Sequence, residues 1–303
     1  MSSAVQRSPD AGRSLWSEAW RRLCRRRMTR LCLGVVALYT LTALYAEGVY
    51  RFHRWQDRTP SYQQTNLEQA HQSPGRAHWL GTDGLGRDVL QRLAQGTRIA
   101  FQVGVVTSLI AIPIGLILGL VAGYFGGRTD EIIVWLYSTF ASVPGLLLIL
   151  AIAMVVGRGL MGVYMGIGLT TWVGLCRLIR AEVIKQRALP YVLAARALGL
   201  GSWRIMFRHI LPNVLHLVIV TFTLRFPASI GTEVFLSFIG LGAQGEPSWG
   251  LMISSARLRL WQGAWWEMTS VSVAILGLVL AFNWLGDALR DALDPRLRTA
   301  GLE

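Results

Sequence analysis

The sequence has a single lysine among 30 basic residues and only three cysteines in 303 residues. The lysine, Lys185, follows isoleucine rather than glycine, and the chain has no G-x-x-x-x-G-K-[ST] phosphate loop. It therefore lacks the ATP site of a P-loop enzyme. Cys24, Cys32 and Cys176 are too few and too scattered for a disulfide framework or a zinc site.

Catalytic patterns are missing as well. The five histidines form no H-E-x-x-H or other metal-spaced pair. No serine lies in a G-x-S-x-G elbow. We therefore predict no catalytic residue, no metal site and no cofactor in this chain, and a protein that is not an enzyme.

Charge is scarce and apolar residues are abundant, at 16% and 52% of the sequence. This balance is typical of a polytopic membrane protein rather than a soluble domain. The net charge of +13 does not indicate nucleic-acid binding, because the arginines cluster beside apolar runs, as membrane topology requires.

Six apolar windows are long enough to cross a bilayer core of about 30 Å, which needs roughly 20 helical residues. Pro113, Pro144 and Pro227 fall inside windows, where kinks are tolerated because neighbouring helices can satisfy the freed carbonyls. The sequence therefore predicts an all-α fold with six transmembrane helices. The windows are residues 28–47, 99–125, 132–156, 160–180, 213–236 and 268–288.

Arginines concentrate before the first window, between the fourth and fifth, and after the last. With six crossings, these three segments fall on one side, which the positive-inside rule makes cytoplasmic. Segments 48–98 and 237–267 then lie on the opposite side. We expect both termini in the cytoplasm.

One connection, YVLAARALGLGSWRIMFRHILPN at 191–213, is more ordered than a simple loop. Residues 193–198 predict a short helix that Gly199 ends in a left-handed conformation. Ser202 is the predicted N-cap of a second helix. Pro212 is the predicted point at which the chain changes direction into the next span.

The surface of this connection suggests two uses. Ala194 and Ala195 offer a small-residue patch for a partner protein, near the positive charges of Arg204 and Arg208. A basic amphipathic linker resting on anionic lipid headgroups is the alternative, and the pattern permits both.

The connection resembles the cytoplasmic loop of ATP-binding cassette (ABC) permeases of bacterial importers, E-A-A-x-x-x-G followed by an apolar residue and L-P. Here it reads LAARALG at 193–199 and ILP at 210–212, with Leu193 in place of the usual glutamate. In that family the loop holds a coupling helix that seats in a groove of the ATPase. The coupling residues implied are Ala194, Ala195, Gly199, Arg204, Arg208, Leu211 and Pro212.

Three further stretches resemble the C-type permeases of oligopeptide, dipeptide and nickel importers. They are HWLGTDGLGRDVLQRLAQGTRIAFQVG (78–104), LSFIGLGAQGEPSWG (236–250) and NWLGDALRDALDPRLR (283–298). The resemblance runs from about residue 75 onward, and residues 1–74 carry little of it. The regions implied are a cytoplasmic tail (1–27), a first transmembrane helix with an extracytoplasmic loop (28–74), a permease domain (75–290) with a coupling loop (181–212), and a cytoplasmic tail (291–303).

The run GTDGLGRD has glycines like those of a phosphate loop, but no strand precedes it, so we predict a structural turn. We expect Asp83, Arg87 and Asp88 to bond one another or the backbone and to hold an entry helix at the membrane surface. The resemblance marks this run as a family signature near the outer gate: Gly81, Thr82, Asp83, Gly86, Arg87 and Asp88.

Two charged residues, Arg225 and Glu233, fall inside the fifth window, where an unpaired charge costs about 2.5–3.5 kcal/mol. Their spacing of eight places them on one helix face. They either line a translocation path or pair with a partner subunit. Gly115, Gly119 and Gly123 form a small-residue ladder for close helix contact, with a second permease or within the chain.

The resemblance implies a subunit with the type I ABC importer permease fold, half of a heterodimeric pore in the bacterial inner membrane that takes up peptides, or nickel and related small solutes. The implied partners are a B-type permease, two cytoplasmic ATPases that carry the ATP, an extracytoplasmic binding protein and membrane lipids. The alternatives are an ion-gradient-driven secondary transporter, which would show inverted repeats not evident in the sequence, and a non-transporting scaffold subunit.

Overall fold

A computed structural model describes residues 26–57 and 59–293, so most of both tails lies outside the described residues. Over these two ranges the chain is helical, with one isolated bridge between Thr82 and Asp88 and no β-strand. The helices are α1 (Arg27–Trp55), α2 (Val89–Phe125), α3 (Gly127–Ser142), α4 (Gly145–Val156), α5 (Leu160–Thr170), α6 (Trp172–Gln186), α7 (Pro190–Ala197), α8 (Ser202–Ile205), α9 (Leu211–Phe238), α10 (Trp249–Ala256) and α11 (Trp266–Leu293).

The membrane spans follow the six predicted windows. Five helical runs are long and apolar enough to cross a bilayer: α1, α2, α5 with α6, the run from α8 through α9, and α11. The third window is occupied by α3 and α4, which make a sixth crossing only if taken together. Most helices extend well beyond their windows, because their ends carry polar residues that a hydropathy window rejects.

The third window is broken far more sharply than the kink predicted at Pro144. Helices α3 and α4 meet at an angle of 90°. Val143 and Pro144 between them have extended ψ angles of 134° and 123°. Proline lacks the N–H that continues a helix and disfavours the helical conformation in the residue before it. Pro113 and Pro227, in contrast, lie inside the continuous helices α2 and α9.

The glycine ladder of α2 contacts α6 of the same chain, one of the two predicted possibilities. An added Cβ at Gly115 would lie 2.7 Å from the Trp172 carbonyl oxygen, and one at Gly119 would lie 2.8 Å from that of Cys176. Gly123 is equally close to Val183. Contact positions increase together along both helices, so α2 and α6 run parallel. Backbone approach of this kind maximises van der Waals contact where lipid supplies little hydrophobic driving force.

Contacts of α11 with α1 and α9 show which helix ends lie together. Arg26 pairs with Asp291 at 3.2 Å, and the Tyr39 hydroxyl donates to the Ala274 carbonyl at 2.8 Å, so α1 and α11 run antiparallel. The Phe226 and Phe282 rings stack at 4.4 Å between α9 and α11.

The bundle therefore has two distinct ends. The basic end carries the start of α1, the ends of α2, α6 and α11, and residues 187–212. The loop end carries residues 56–88 and 239–265. This division matches the predicted sidedness of the connections.

Gly119→Val should force α2 and α6 apart, because its Cβ would collide with the Cys176 carbonyl and with Ile179. We expect overpacking to cost about 1–3 kcal/mol, visible as a lower melting temperature of the detergent-purified chain. Gly174→Val on α6 is the matched control, since nothing lies within 4 Å of a Cβ there. Equal melting temperatures of the two variants would contradict the α2–α6 contact.

Candidate functional site

The bridging segment, residues 187–212, joins α6 to α9 at the basic end. Helix α7 begins with Pro190 in its first turn, where a missing N–H costs no hydrogen bond. The helix ends before Gly199, which adopts φ +75° as predicted. The Leu200 amide then donates to the Ala195 carbonyl at 3.1 Å. The helix starts three residues earlier than predicted, because Pro190 nucleates it.

One face of the bridging segment packs onto the bundle. Val192, Ile205 and Ile210 are fully buried, in contact with apolar residues of α2 and α6. Ala195 is also buried, at 4% exposure. The prediction that Ala195 faces a partner is therefore wrong: the residue is small because it lies close to its own bundle.

The opposite face of α7 is apolar and open. Ala194 is exposed, with Leu193 at 51% and Leu198 at 81% exposure on either side of it. Arg204 and Arg208 are exposed beyond it. Exposed leucines of this kind can contact either a partner protein or lipid, so both predicted uses of this connection stay predictions.

The join to α9 differs from prediction in two ways. The N-cap of α8 is Gly201, with no side-chain capping bond, so Ser202 is not the cap. Pro212 does not change the chain direction, because the helix is continuous from Ser202 to Phe238. A π-turn at Met206–Ile210 precedes the half-buried Leu211 and places Pro212 in the first turn of α9. Such turns recur at functional positions in helices.

At the loop end, the GTDGLGRD run folds as a turn around Asp83. The buried carboxylate accepts hydrogen bonds from the amides of Leu85 (2.8 Å) and Arg87 (3.0 Å) and from Arg87 Nε (2.7 Å). Arg92 Nε lies 3.5 Å away. Gly81 and Gly86 both adopt φ +72°, and a side chain at Gly86 would collide with the Asn66 carbonyl.

The same run anchors two helices. Asp88 caps α2 by accepting from the Gln91 amide at 3.0 Å, and it contacts His78 Nδ1 at 2.8 Å. The Thr82 carbonyl accepts from Trp266 Nε1 at 3.1 Å, at the start of α11. The predicted bonding of Asp83, Arg87 and Asp88 to one another or to the backbone is confirmed as local geometry.

Arg98 forms a buried cluster that sequence reasoning missed. Its side chain is 2% exposed, pairs with Glu246 and with Glu47 (3.5 Å), and lies 3.8 Å over the Tyr50 ring. Gln102 Nε2 also donates to Glu47 at 2.9 Å. The sequence signal that could have indicated this cluster is the position of Arg98 directly before an apolar window. In the structure, Arg98 connects α1, α2 and the 239–248 loop.

Glu233 and Arg225 occupy different environments. Glu233 is 1% exposed and accepts a hydrogen bond from the Ser237 hydroxyl at 2.5 Å. The same hydroxyl accepts from the Ala243 amide, so Glu233 holds the loop after α9. The burial of Glu233 inside the chain contradicts the prediction that it lines a translocation path. Arg225 is half-buried, and its Nη1 has no hydrogen-bond partner among the described residues, so its path role stays a prediction.

Comparisons with known families cover most of the chain. The family described as "Binding-protein-dependent transport system inner membrane component" matches residues 112–299. The "N-terminal TM domain of oligopeptide transport permease C" matches residues 14–74, where the sequence motifs carry little resemblance to the family.

Curated relatives are similar over nearly their whole length. The oligopeptide transport system permease protein OppC of Bacillus subtilis (strain 168) is 36% identical over 94% of this chain and 91% of its own. The dipeptide transport system permease protein DppC of the same organism is 38% identical over 94% and 87%. The glutathione transport system permease protein GsiD of Pectobacterium atrosepticum is 36% identical over 95% and 93%.

A solved structure, the MetNI methionine ABC transporter in an inward-facing conformation, shares the fold. It aligns with a TM-score of 0.52 at 18% identity, over 68% of this chain and 97% of that chain. The helical arrangement is therefore that of an ABC importer permease.

Asp83→Asn should loosen the loop end, because it leaves Arg87 and Arg92 without their buried anion. Removing one partner of a buried pair costs about 3–5 kcal/mol. We expect faster hydrogen exchange of the loop amides between residues 59 and 92. Glu68→Gln, at an exposed position of the same loop, is the matched control and should exchange like the parent.

The Asp83 contact also predicts a pH dependence. Burial opposes ionisation of Asp83, but the hydrogen bonds and charge of Arg87, with that of Arg92, outweigh it and hold the pKa below its ordinary value. Its stabilisation is therefore full above the unfolded pKa of about 4 and is lost as the pH falls through the lowered folded value. The loop of Asp83→Asn should lack this acid transition; an unchanged transition would contradict the assignment.

Proposed function

The chain belongs to the family of binding-protein-dependent transport system inner membrane components, and from that premise we propose that it is the C-type permease of an ABC importer for peptides. It is an integral membrane protein and a transport subunit. Oligopeptide, dipeptide and glutathione permeases are among the relatives that span nearly all of it, which favours a peptide-like cargo over nickel or other small solutes.

The observation that carries the proposal is the exposed face of α7. Val192 and Ala195 fix α7 to the bundle, and Leu193, Ala194 and Leu198 are exposed on its other face. Such a helix is suited to transmit the movement of a docked protein to the bundle. We propose that this face seats in an ATPase, so that the bridging segment is the coupling segment. Closure of the ATPases would then move α6 and α9 as rigid bodies.

The remaining partners follow from the same proposal. A B-type permease completes the pore, and two ATPases carry the ATP, with no nucleotide or metal held by this chain. An extracytoplasmic binding protein delivers cargo to the loop end. The arginines at the basic end support a cytoplasmic location for that end and for both termini.

Ala194→Trp should weaken ATPase docking without unfolding the chain, because Ala194 is exposed whereas Ala195 is not. We expect at least a tenfold loss of ATPase co-purification and of peptide-stimulated ATP hydrolysis, about 1.4 kcal/mol. Ala181→Trp, at an exposed position on α6, is the matched control. Full coupling in Ala194→Trp would overturn the assignment of α7.

Co-expression with the neighbouring genes of its native locus tests the assembly itself. We expect a second permease and an ATPase to co-purify, and peptide uptake to require ATP. Recovery of the chain alone, with uptake driven by an ion gradient, would instead favour a secondary transporter. Recovery without any uptake would favour a scaffold subunit.

A further inference from the structure

The basic end contains a cavity that the proposed coupling mechanism does not use. It has a volume of about 460 Å³ and lies between the ends of α2 and α6 and the bridging segment. The residues that line it include Arg187, Arg196, Tyr124 and Ser202. None of the described residues that line it is acidic.

Both arginines are held in place without a carboxylate. Arg187 Nη1 donates to the carbonyls of Gly123 (3.1 Å) and Tyr124 (3.4 Å) at the end of α2. The Arg196 guanidinium lies 4.9 Å over the Tyr124 ring. Among the described residues, neither makes a salt bridge. Two fixed positive charges on a cavity wall form a site for an anion.

A carboxylate at the same end of the bundle does not neutralise this pair. Asp130, which feels the charge of Arg187, is bound by Arg180 in a two-pronged ion pair, with Nη2 to Oδ2 at 2.6 Å. Its charge is therefore already matched. The positive potential of the cavity remains available to a ligand.

An exposed aromatic strip borders the cavity. Phe125, itself in the cavity wall, is 46% exposed, Trp203 is 58% exposed and Phe207 is 47% exposed. The Phe125 and Trp203 rings meet edge to face at 6.2 Å, and Trp203 stacks on Phe207 at 5.9 Å. The strip begins at the last residue of α2, where a membrane span ends.

We propose that this cavity binds the headgroup of an anionic phospholipid of the adjoining leaflet, with the acyl chains along Phe125, Trp203 and Phe207. A cationic pocket beside exposed aromatic rings at the end of a span matches the two parts of such a lipid. A soluble anion would leave the rings uncovered. The outward face of α7, at Leu193, Ala194 and Leu198, remains free for a protein.

The bound lipid would connect two structural units. Arg187 is the C-terminal cap of α6 and is bound to the end of α2, whereas Arg196 lies in the last turn of α7. A phosphate between them would therefore tie α7 to the ends of α2 and α6. Lipid binding itself does not depend on the proposed transport function, so the two can fail separately.

The test is native mass spectrometry of the full purified chain with short-chain phosphatidylglycerol or phosphatidylcholine. We expect phosphatidylglycerol to bind at least tenfold more tightly, and Arg196→Gln to remove most of that preference. Arg196→Lys, which keeps the charge, should retain most of it. Arg290→Gln, an exposed arginine at the same end of the bundle, should bind like the parent. Arg196 is the residue to change, because Arg187 also caps the carbonyls of α2.

Three outcomes would overturn the proposal. Equal binding of the two lipids, or an unchanged preference in Arg196→Gln, would show that the cavity does not select an anionic headgroup. Complete displacement by millimolar glycerol phosphate would identify a site for soluble anions. Loss of ATPase co-purification in Arg196→Gln, with lipid binding intact, would assign the cavity to an acidic side chain of the ATPase.

Discussion

The close contact between α2 and α6 is the constraint on which the basic end depends. Three glycines a helical turn apart let the two backbones meet, and the helices run parallel, so their ends emerge side by side. Together they form the apolar floor, including Leu120, Tyr124 and Val183, on which Val192 and Ile205 rest. Larger residues at the three glycines would push α2 and α6 apart and would disrupt the apolar surface on which the bridging segment packs.

The two ends of the bundle are stabilised by different physics. The bridging segment is held by apolar packing, with few polar bonds to the bundle. The loop end is held by buried charge: Asp83 with Arg87, Arg98 with Glu47 and Glu246, and Arg259 with Glu267 at 2.7 Å. Buried pairs repay their desolvation only when the geometry is good and the remaining polar atoms are satisfied. Each of these charged side chains has a specific partner at the loop end, whereas the apolar contacts of the bridging segment are not directional.

Hydropathy and arginine placement were sufficient to predict the spans, the helical class and the end of the bundle on which each connection lies. Glycine and proline chemistry predicted the stop at Gly199 and a kink at Pro144, but not the 90° angle of that bend, because a window of mean hydropathy carries no direction. The hydrogen bonding around Asp83 was predictable, since Leu85 and Arg87 are within four residues of it.

The direction in which each side chain faces, toward the bundle or away from it, could not be predicted, since it depends on tertiary packing. Ala194 and Ala195 look alike in sequence, yet one is exposed and the other buried. The spacing of Arg225 and Glu233 indicated a shared face, but only the fold shows the Ser237 hydroxyl closing over Glu233. Arg98 and Glu246 are separated by 148 positions, and single-sequence reasoning has no means of pairing them.

The π-turn at Met206–Ile210 sets the angular position of a whole membrane helix. A residue of an α-helix advances about 100° around the axis, and a π-turn contains one residue more than an α-turn. Deleting a single residue there would rotate α9 as a unit and aim Glu233, Phe226 and Thr223 away from their contacts. The pentapeptide thus acts as a spacer of fixed length, in addition to the packing of its buried residues Met206 and Ile210.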